Sequence, residues 1–494
     1  MNRRSFLSAT AAVAALPLAG KTLAEAQPKP RFANNPRLTP MRGFAGQDVA
    51  CENLAIEGKI PQALRGVFYR NGPGLFERGG QRYQHWFDGD GLLNAWRFTD
   101  AGVSHQAKFI CTEKFIAESE ANEFLLPSFG TAIKAKRAVR NSDSVNTANT
   151  NVVRLGDRLL AMWEGGSAYD LDPQTLATRG PVTWKPELKA MPFSAHPKVE
   201  ADGTFWNFGT AGFGKIVLYH LSAAGEMLRY HLLDAPPSAM VHDFAVSQKH
   251  IIFLLAPVTM DRESLKAGAS FGQSLRWNAN ESVKVLVVEK ADFTKQRVME
   301  MPAFMVFHFG NAWEMNNVIR VDFVKSDNLD IMSDYMPRLM RGESVKADVS
   351  NACFMRIDLN TGRCTMEERG ELVEFPRIDP RFVAQRNRLV FYPSYIGNDP
   401  ASRFNSVLRV DTETGKTDQF SFGEGVQLEE HIIVAKPGSV REGEGWLIGV
   451  GFDANRQQSF ATVFDALNLS AGPVAIARLP YWMPLCFHGN FYAA

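Results

Sequence analysis

Short apolar strands joined by tight turns recur along nearly all of the 494 residues, and this repetition is the feature that most limits the possible folds. Residues 356–363 read RIDLNTGR, and residues 409–416 repeat the pattern as RVDTETGK. Looser copies occur at 170–176 and 221–226. In each copy an apolar strand ends at Asp or Ser, turns through residues that tolerate a left-handed backbone, and returns as a second strand. The pattern predicts an all-β chain built from hairpins.

The number of hairpins favours a β-propeller over other β architectures. Helical periodicity is weak and is concentrated near residues 112–138 and 334–342, so crossover helices are not expected. After removal of an amino-terminal export signal, about 460 residues remain, which is too long for an ordinary β-sandwich. Seven blades of about 65 residues each account for this length. We therefore predict one seven-bladed propeller domain over residues 46–494.

The charge balance excludes one large class of partner. The chain has 54 basic and 53 acidic residues, and its formal net charge is +1. A protein that neutralises many phosphates carries a clear basic excess, so a nucleic-acid partner is not expected. The 35 Phe and 9 Trp exceed what a small core needs and could line an apolar ligand tunnel, although a large core explains them equally well.

The amino terminus reads as an export signal. Arg3 and Arg4 precede Ser5-Phe6-Leu7 and a small, modestly apolar run, and an A-x-A cleavage site ends at residue 26. This pattern predicts a twin-arginine signal over residues 1–26, the Tat export machinery as a partner of the precursor, and a periplasmic mature protein. Cleavage would leave 51 basic and 52 acidic residues, a net charge of −1. Proline and polar residues then predict an extended leader over residues 27–45.

The cysteines do not form a recognisable metal or redox motif. There are five, an odd number, and none of them forms a C-x-x-C pair. Cys353 and Cys364 are the nearest pair in sequence, so a disulfide between them stays open. Because a twin-arginine substrate folds before export, free cysteines are the favoured state.

Four of the ten histidines share a context that the others lack. Each follows a small or apolar residue at the end of a strand-like run and precedes a turn; they are His196, His242, His308 and His488. In a propeller such strand ends from different blades meet on the central axis. Imidazoles gathered there without thiolates suit iron, copper, zinc or nickel. Their spacing alone is also compatible with hydrogen-bonded core histidines.

Motifs at several separated points resemble the carotenoid cleavage oxygenase family. They include residues 56–61 (IEGKIP), 66–74 (GVFYRNGPG) and 87–91 (FDGDG), followed in order by the four histidine contexts. The resemblance covers about residues 48 to 491. It implies a seven-bladed propeller whose axial site is covered by a dome of loops and helices. It also implies one non-haem Fe(II) per chain, bound by His196, His242, His308 and His488.

The resemblance further implies that glutamates orient three of these imidazoles. The matching positions are Glu164, Glu374 and Glu430, and Glu429 leaves the last assignment ambiguous by one residue. A ligating imidazole needs an acceptor for its second ring nitrogen, which fixes its tautomer. Three carboxylates would also offset the charge of a dication among neutral ligands.

The implied activity is a dioxygenase reaction, in which an alkene is cleaved with O2 into two carbonyl products without a protein acid, base or nucleophile. Family members that cleave stilbenes commonly carry a lysine just before the first glutamate, where this chain has Trp163. An indole can stack on a polyene but cannot stabilise a phenolate. This difference favours a carotenoid or apocarotenoid substrate. Thr150 and Phe307 are further candidate pocket residues.

Two alternatives stay open at this point. The first is an oxygenase that cleaves lignostilbenes or other phenylpropanoid alkenes, and the second is a non-oxygenase, either an isomerase or a binding propeller. An apolar polyene or aryl-alkene and O2 are the expected small-molecule partners. A peripheral contact with a membrane, from which such a substrate could be extracted, is also open.

Overall fold

Seven antiparallel sheets follow one another along the chain and close into a ring. The computed structural model describes residues 32–45, 47–212, 214–345, 350–397 and 404–494. The predicted seven-bladed β-propeller is confirmed. The predicted export signal over residues 1–26 lies outside the described residues.

Each blade is an antiparallel sheet, and its strands follow in their order across the sheet. Blade 1 contains Val49–Cys51, Gly102–Phe109, Asp90–Thr99, Gly66–Leu75 and His488–Ala493, and blade 2 contains Thr178–Pro181, Tyr169–Leu171, Arg158–Met162 and Asn151–Leu155. Blade 3 contains Lys198–Val199, Phe205–Thr210, Lys215–Leu221 and Met227–Asp234, and blade 4 contains Ala245–Val246, His250–Leu255, Val283–Glu289 and Gln296–Met301. Blade 5 contains Met305–Met315, Val318–Ser326, Ser350–Asp358 and Cys364–Leu372, and blade 6 contains Leu389–Ser394, Ser406–Asp411 and Thr417–Ser421. Blade 7 contains Val426–Ala435, Gly445–Asp453, Gln458–Asp465, Ala475–Arg478 and Ala55–Gly58.

The two ends of the described chain close the ring. Near the carboxyl end, His488–Ala493 pairs with Gly66–Leu75 and so becomes an edge strand of blade 1. Near the amino end, Ala55–Gly58 pairs with Ala475–Arg478 in blade 7. Blades 1 and 7 are therefore each built from both ends of the chain. This arrangement pairs backbone groups that would otherwise be left open at the first and last strands.

Loops and short helices form a dome over one end of the axis. The α-helices are Glu113–Ala121, Arg262–Lys266, Phe271–Ser274 and Met336–Met340, with a π-helical turn at Ile331–Tyr335. Short 3-10 helices are Pro36–Arg42, Trp86–Asp88, Ser142–Val145, Pro186–Leu188, Pro380–Phe382 and Leu469–Ala471, and two small hairpins pair Glu77–Arg78 with Gln81–Arg82 and Val258–Met260 with Leu275–Trp277. The helices at 113–121 and 331–340 lie where the sequence showed its weak helical periodicity.

The prediction of an extended leader over residues 27–45 is wrong for its described part. Asn35 caps a 3-10 helix over Pro36–Arg42 by accepting a hydrogen bond from the Arg37 backbone N–H. Leu38 and Met41 are buried in the dome core. Two apolar side chains spaced three residues apart gain more by packing on the dome than the proline-rich segment gains by staying extended.

The interior follows the strand patterns of the sequence. In blade 1, Gly102–Phe109 alternates strictly between half-buried and buried residues, as expected for a strand covered on one face. In blade 7, Val426–Ala435 is buried over its first eight residues, which is typical of a strand covered on both faces. All five cysteines are described and free. No helix of the described residues is long and apolar enough to cross a membrane.

One buried acid on blade 5 works against folding. Asp322 is 5% exposed, and within the part of the chain described its Oδ2 atom has no hydrogen-bond partner. Burial raises the pKa of Asp322 to about 8. In the unfolded chain the same carboxyl ionises near its ordinary value. The folded protein therefore holds a proton that the unfolded chain releases.

We expect Asp322→Asn to stabilise the protein in a pH-dependent way. The folded pKa lies above the unfolded one, so the contribution of Asp322 to wild-type stability falls as pH rises from about 4 to about 8 and is constant above that. Asparagine does not ionise, so the variant does not show this decrease in unfolding free energy. Its unfolding free energy should differ least from wild type near pH 4.5 and exceed it most near pH 8.5, by several kcal/mol on the order-of-magnitude linkage scale. Thermal unfolding against pH measures this. Asp327→Asn, at an exposed carboxylate, is the control, and equal pH profiles for Asp322→Asn and wild type would contradict the prediction.

Candidate metal centre

Four histidine side chains meet on the propeller axis. His196, His242, His308 and His488 are 4–8% exposed, and one ring nitrogen from each lies within 4.8 Å of the others. The Nε2 atom of His308 is 3.2 Å from Nε2 of His242 and 3.2 Å from Nε2 of His488. These are the four residues whose sequence contexts predicted ligands.

The four histidines come from four different blades. His196 and His242 stand just before the axial edge strands of blades 3 and 4, His308 lies within that of blade 5, and His488 begins that of blade 1. The edge strands of separate sheets approach one another only at the axis. This is why residues 46, 66 and 180 positions apart become neighbours.

Buried amides fix the backbone that carries His196. Asn151 Nδ2 donates to the Ala195 carbonyl at 2.7 Å, and Asn207 Nδ2 donates to the Ser194 carbonyl at 2.8 Å. The Ser194 hydroxyl accepts from the His196 N–H at 3.2 Å. These bonds satisfy backbone groups that no sheet partner reaches, and they hold the loop before the ligand in one conformation.

Asp243 connects three of the histidine-bearing segments. It follows His242 directly, and its Oδ2 atom accepts from the Phe309 N–H at 2.9 Å, next to His308. Its Oδ1 atom lies 2.8 Å from Lys198 Nζ, two residues beyond His196. The carboxylate is 1% exposed. Such a buried charge bonded on both oxygens keeps the blades in register around the site.

Three glutamates hold the second ring nitrogens. Glu164 Oε1 contacts His242 Nδ1, Glu374 Oε2 lies 2.5 Å from His308 Nδ1, and Glu430 Oε1 lies 2.9 Å from His488 Nδ1. The ambiguity between Glu429 and Glu430 is thereby resolved in favour of Glu430. Because each Nδ1 faces a carboxylate, each Nε2 lone pair points into the centre.

The three glutamates come from the three blades that supply no histidine. Glu164 follows Arg158–Met162 in blade 2, and Glu430 lies in Val426–Ala435 of blade 7. Val373, next to Glu374, forms a β-bridge with Ser394 at the edge of blade 6. Every blade therefore places one side chain at this centre.

Burial keeps part of the cluster neutral. It holds the pKa of His196 well below its usual value, an effect increased by the three neighbouring imidazoles. Burial also lowers the pKa of His488 to about 3, against the opposing effect of Glu430. For His242 the same burial is outweighed by Glu164, which raises its pKa. Neutral imidazole is the form that binds a metal.

The residues present fit a metal ion. His196 Nε2 is buried and without a hydrogen-bond partner among the described atoms, and it faces the other three rings. Two neutral imidazoles can share only one proton between facing nitrogens, so the cluster cannot satisfy itself. A divalent cation would satisfy the four nitrogens together. Nitrogen donors without thiolate are typical of iron, copper, zinc and nickel sites.

Glu430 belongs to a larger buried charge network. Arg70 Nη1 lies 2.7 Å from Glu430 Oε2, and Arg70 Nη2 lies 2.9 Å from Glu429 Oε2. Arg377 Nε lies 3.5 Å from Glu430 Oε1. Although burial opposes its ionisation, Arg377, His488 and Arg70 lower the pKa of Glu430. Burial raises the pKa of Glu429 despite the opposing effect of Arg70.

An apolar chamber opens above the histidines and beneath the dome. The chamber and its mouth, counted together with the open solvent there, span about 1150 Å³. Thr150, Trp163 and Phe307, the three predicted pocket residues, all line it. The ring of Trp163 lies over Gly165, where a Cβ atom would approach its edge to 2.7 Å. Other aromatic walls are contributed by Trp86, Phe87, Phe129, Tyr335, Phe375, Tyr395, Phe404 and Phe487.

Two features of the site were not predicted. Phe375 packs against His308 and His488, with ring centroids 5.0 and 5.3 Å apart, and its backbone is in the left-handed region at φ 50°. Its place directly after Glu374 was the available signal, whereas Pro376 favours extended backbone at Phe375 and so gave no sign of the left-handed conformation. Arg70 lies in the motif at residues 66–74, where it had no assigned role.

Comparison with known proteins identifies a family and several relatives with a similar sequence and fold. The family model described as retinal pigment epithelial membrane protein matches residues 45–493. Apocarotenoid-15,15'-oxygenase of Synechocystis is 29% identical over 91% of this chain and 95% of its own length. Isoeugenol monooxygenase of Pseudomonas putida is 30% identical over 88% of this chain and 94% of its own. A crystal structure of cobalt-substituted Synechocystis ACO superposes with a TM-score of 0.85 at 28% identity, covering 93% of this chain and 98% of that one.

The match spans the propeller, the dome and all seven residues of the centre. The named relatives are oxygenases, and the expected fold and family are both confirmed. The chain therefore belongs to the retinal pigment epithelial membrane protein family, the carotenoid cleavage oxygenases that its motifs resemble, and is an oxidoreductase.

Proposed function

We propose that this protein is an Fe(II)-dependent dioxygenase that cleaves a C=C double bond of a carotenoid or apocarotenoid. The observation that carries the proposal is the convergence of four buried imidazole nitrogens next to an aromatic-rich chamber that three of these histidines line. Iron(II), when bound by His196, His242, His308 and His488, supplies the binding and activation of O2. In the balanced reaction the double bond breaks and each carbon receives one oxygen atom of O2, so no further reductant is needed.

The protein's own residues position and shield the reactants. Glu164, Glu374 and Glu430 hold the imidazoles in the tautomer that directs Nε2 to the metal. The aromatic walls exclude water and hold an extended apolar substrate by contact area. Thr150 and Phe307 line the chamber beside the histidines and restrict where the double bond can lie.

The chamber favours a polyene over a phenolic stilbene. Trp163 precedes Glu164 and presents an indole where a cation would be needed to stabilise a phenolate. Stacking on a conjugated chain suits an indole. Relatives named for apocarotenoids and for isoeugenol are about equally similar to the chain, so identity alone does not choose between the two substrate classes.

Replacing one ligand should abolish metal retention. We expect His308→Ala, expressed with ample iron, to retain less than about a tenth of the wild-type iron. The substitution reduces the four histidine ligands to three and leaves Glu374 without its imidazole partner. Iron per chain, measured by elemental analysis, checks this. His105→Ala is the control, since His105 is equally buried but bonds Asn94 and Tyr481 away from the axis. Wild-type iron content in His308→Ala would refute the site.

A substrate panel with labelled oxygen should separate the candidate activities. We expect an apocarotenal to be cleaved faster than a 4-hydroxystilbene, with ¹⁸O from O2 in both carbonyl products. Trp163→Lys should raise the relative rate on the stilbene, whereas Trp163→Phe should not. Mass spectrometry of the products measures both. Faster cleavage of the stilbene by the wild type favours the phenylpropanoid alternative, and product without ¹⁸O favours a non-oxygenase.

We also propose that the precursor is exported folded to the periplasm. Arg3 and Arg4 support this proposal, together with the A-x-A site before residue 27. Zn and Cu outbind Fe(II) at nitrogen sites, and folding before export would let iron be acquired first. Replacing both arginines by lysine should leave the protein in the cytoplasm, as shown by cell fractionation. Unchanged periplasmic protein in that variant would contradict the proposal.

A further inference from the structure

Among the described residues, Arg70 is the most deeply buried cation near the centre, and its side-chain hydrogen bonds go to Glu429, Glu430 and the Phe487 carbonyl rather than to a histidine. Its side chain is 0% exposed in the strand Gly66–Leu75 of blade 1. Its guanidinium lies between two consecutive carboxylates, those of Glu429 and Glu430 in blade 7. A buried guanidinium of this kind is costly unless its donors are bonded. In this protein the bonds run to two blades at once.

Both carboxylate oxygens of Glu430 have bonding partners. Oε1 faces His488 Nδ1 at 2.9 Å and lies 3.5 Å from Arg377 Nε. Oε2 accepts from Arg70 Nη1 at 2.7 Å and from the Gly489 N–H at 3.0 Å. Rotation of the carboxylate would break bonds on both sides, so Arg70 fixes the orientation that Glu430 presents to His488.

Glu429 and Arg70 also hold the backbone around His488. Glu429 Oε1 accepts from the Cys486 N–H at 3.0 Å, while Arg70 Nη2 donates to the Phe487 carbonyl at 3.1 Å. Gly489 permits this approach, because a Cβ atom there would lie 2.0 Å from the Tyr69 carbonyl oxygen and 2.7 Å from Arg70 Cδ. The network therefore holds every residue from 486 to 489.

The two other glutamates that contact ligand histidines, Glu374 and Glu164, have different surroundings. Glu374 Oε2 faces His308 and accepts from the N–H of its own neighbour Phe375 at 2.6 Å. Glu164 has a side chain that is 26% exposed, against 1% for Glu430. Among the residues described, neither Glu164 nor Glu374 forms an ion pair with Arg or Lys. Only the arm carrying His488 has this additional cation.

We propose that Arg70 is a positioning residue that acts through Glu430 to set the geometry of His488. The proposal rests on the iron-binding function proposed for the four histidines. His488 belongs to the strand that closes the ring, and Arg70 joins blade 1 to blade 7 at that closure. Ring closure and completion of the four-histidine centre are then one structural event.

The role requires arginine rather than any cation. Its planar fork reaches Glu430, Glu429 and the Phe487 carbonyl in fixed directions, whereas a lysine ammonium at the same place is a single point of charge. Arg70→Lys therefore keeps the charge but loses the simultaneous bonding. This substitution therefore distinguishes the effect of Arg70 on the orientation of Glu430 from the effect of its positive charge.

A double-mutant cycle on Co(II) affinity tests the proposal with metal-free protein. The proteins are wild type, Arg70→Lys, Glu430→Gln and the double variant, and anaerobic absorption titration gives each Kd. We expect Arg70→Lys to weaken Co(II) binding at least about tenfold, as loss of an outer partner of a ligand does. In the Glu430→Gln background the same change should have less than about a twofold effect. A purely structural role would instead give additive effects.

Arg78→Lys is the matched control. Arg78 is also buried and lies 2.7 Å from Asp90, but it does not contact the histidines or their glutamates. It should lower the melting temperature without changing Co(II) affinity. Wild-type Co(II) affinity in Arg70→Lys, or additivity in the cycle, overturns the role of Arg70 alone. A wild-type protein that binds no Co(II) overturns the metal function as well.

A second cycle covers the case in which Arg70→Lys does not fold. Glu429→Gln removes the charge that holds Arg70 from the other side and leaves Glu430 intact. The proposal is supported if Glu429→Gln weakens Co(II) binding in the wild-type background and has no further effect in the Glu430→Gln background. Unchanged or additive binding overturns it.

Discussion

The structure depends on four imidazole nitrogens that face one another in a buried space. Their mutual distances do not exceed 4.8 Å, and His196 Nε2 has no partner within the described part of the protein. Neutral imidazoles arranged in this way cannot all be satisfied by hydrogen bonds between themselves. A bound cation would satisfy all four nitrogens, and the rest of the fold holds the four rings in this arrangement. Edge strands from four blades deliver the rings, and the other three blades deliver carboxylates that prevent the rings from turning away.

The carboxylates are not equivalent, and their differences define two sides of the centre. Glu164 lines the chamber and is partly exposed, so the His242 arm borders the space where substrate would lie. Glu430 is buried behind His488 and bracketed by Arg70 and Arg377. The centre therefore borders open space at Glu164 and is enclosed at Glu430, on the side of the ring closure. Shape and contact area, rather than charged groups, would then select the substrate, because the chamber walls are mostly apolar.

The sequence predicted features whose signal is local or repeated. Hairpin turns such as those at 358–362 and 411–415 predicted strands, and chain length predicted seven blades. The four histidines were identified by strand-end context and by family resemblance together. Arg70 received no role because its partners, Glu429 and Glu430, lie 359 and 360 residues away, and no local pattern encodes that distance. The leader over residues 27–45 was predicted to be extended from its proline and polar residues. The prediction failed because Leu38 and Met41 are buried against a dome surface that only the folded chain provides.

The same long separations bear on how the metal site forms. His196 and His488 are nearly 300 residues apart, and the last ligand lies six residues before the carboxyl end. Bringing such distant segments together costs loop entropy before any contact is gained. An unfolded chain offers no preformed four-nitrogen site, so the free energy of metal binding is available only to the closed ring. A bound metal would therefore stabilise most directly the pairing of His488–Ala493 with Gly66–Leu75, the strand pair that closes the ring.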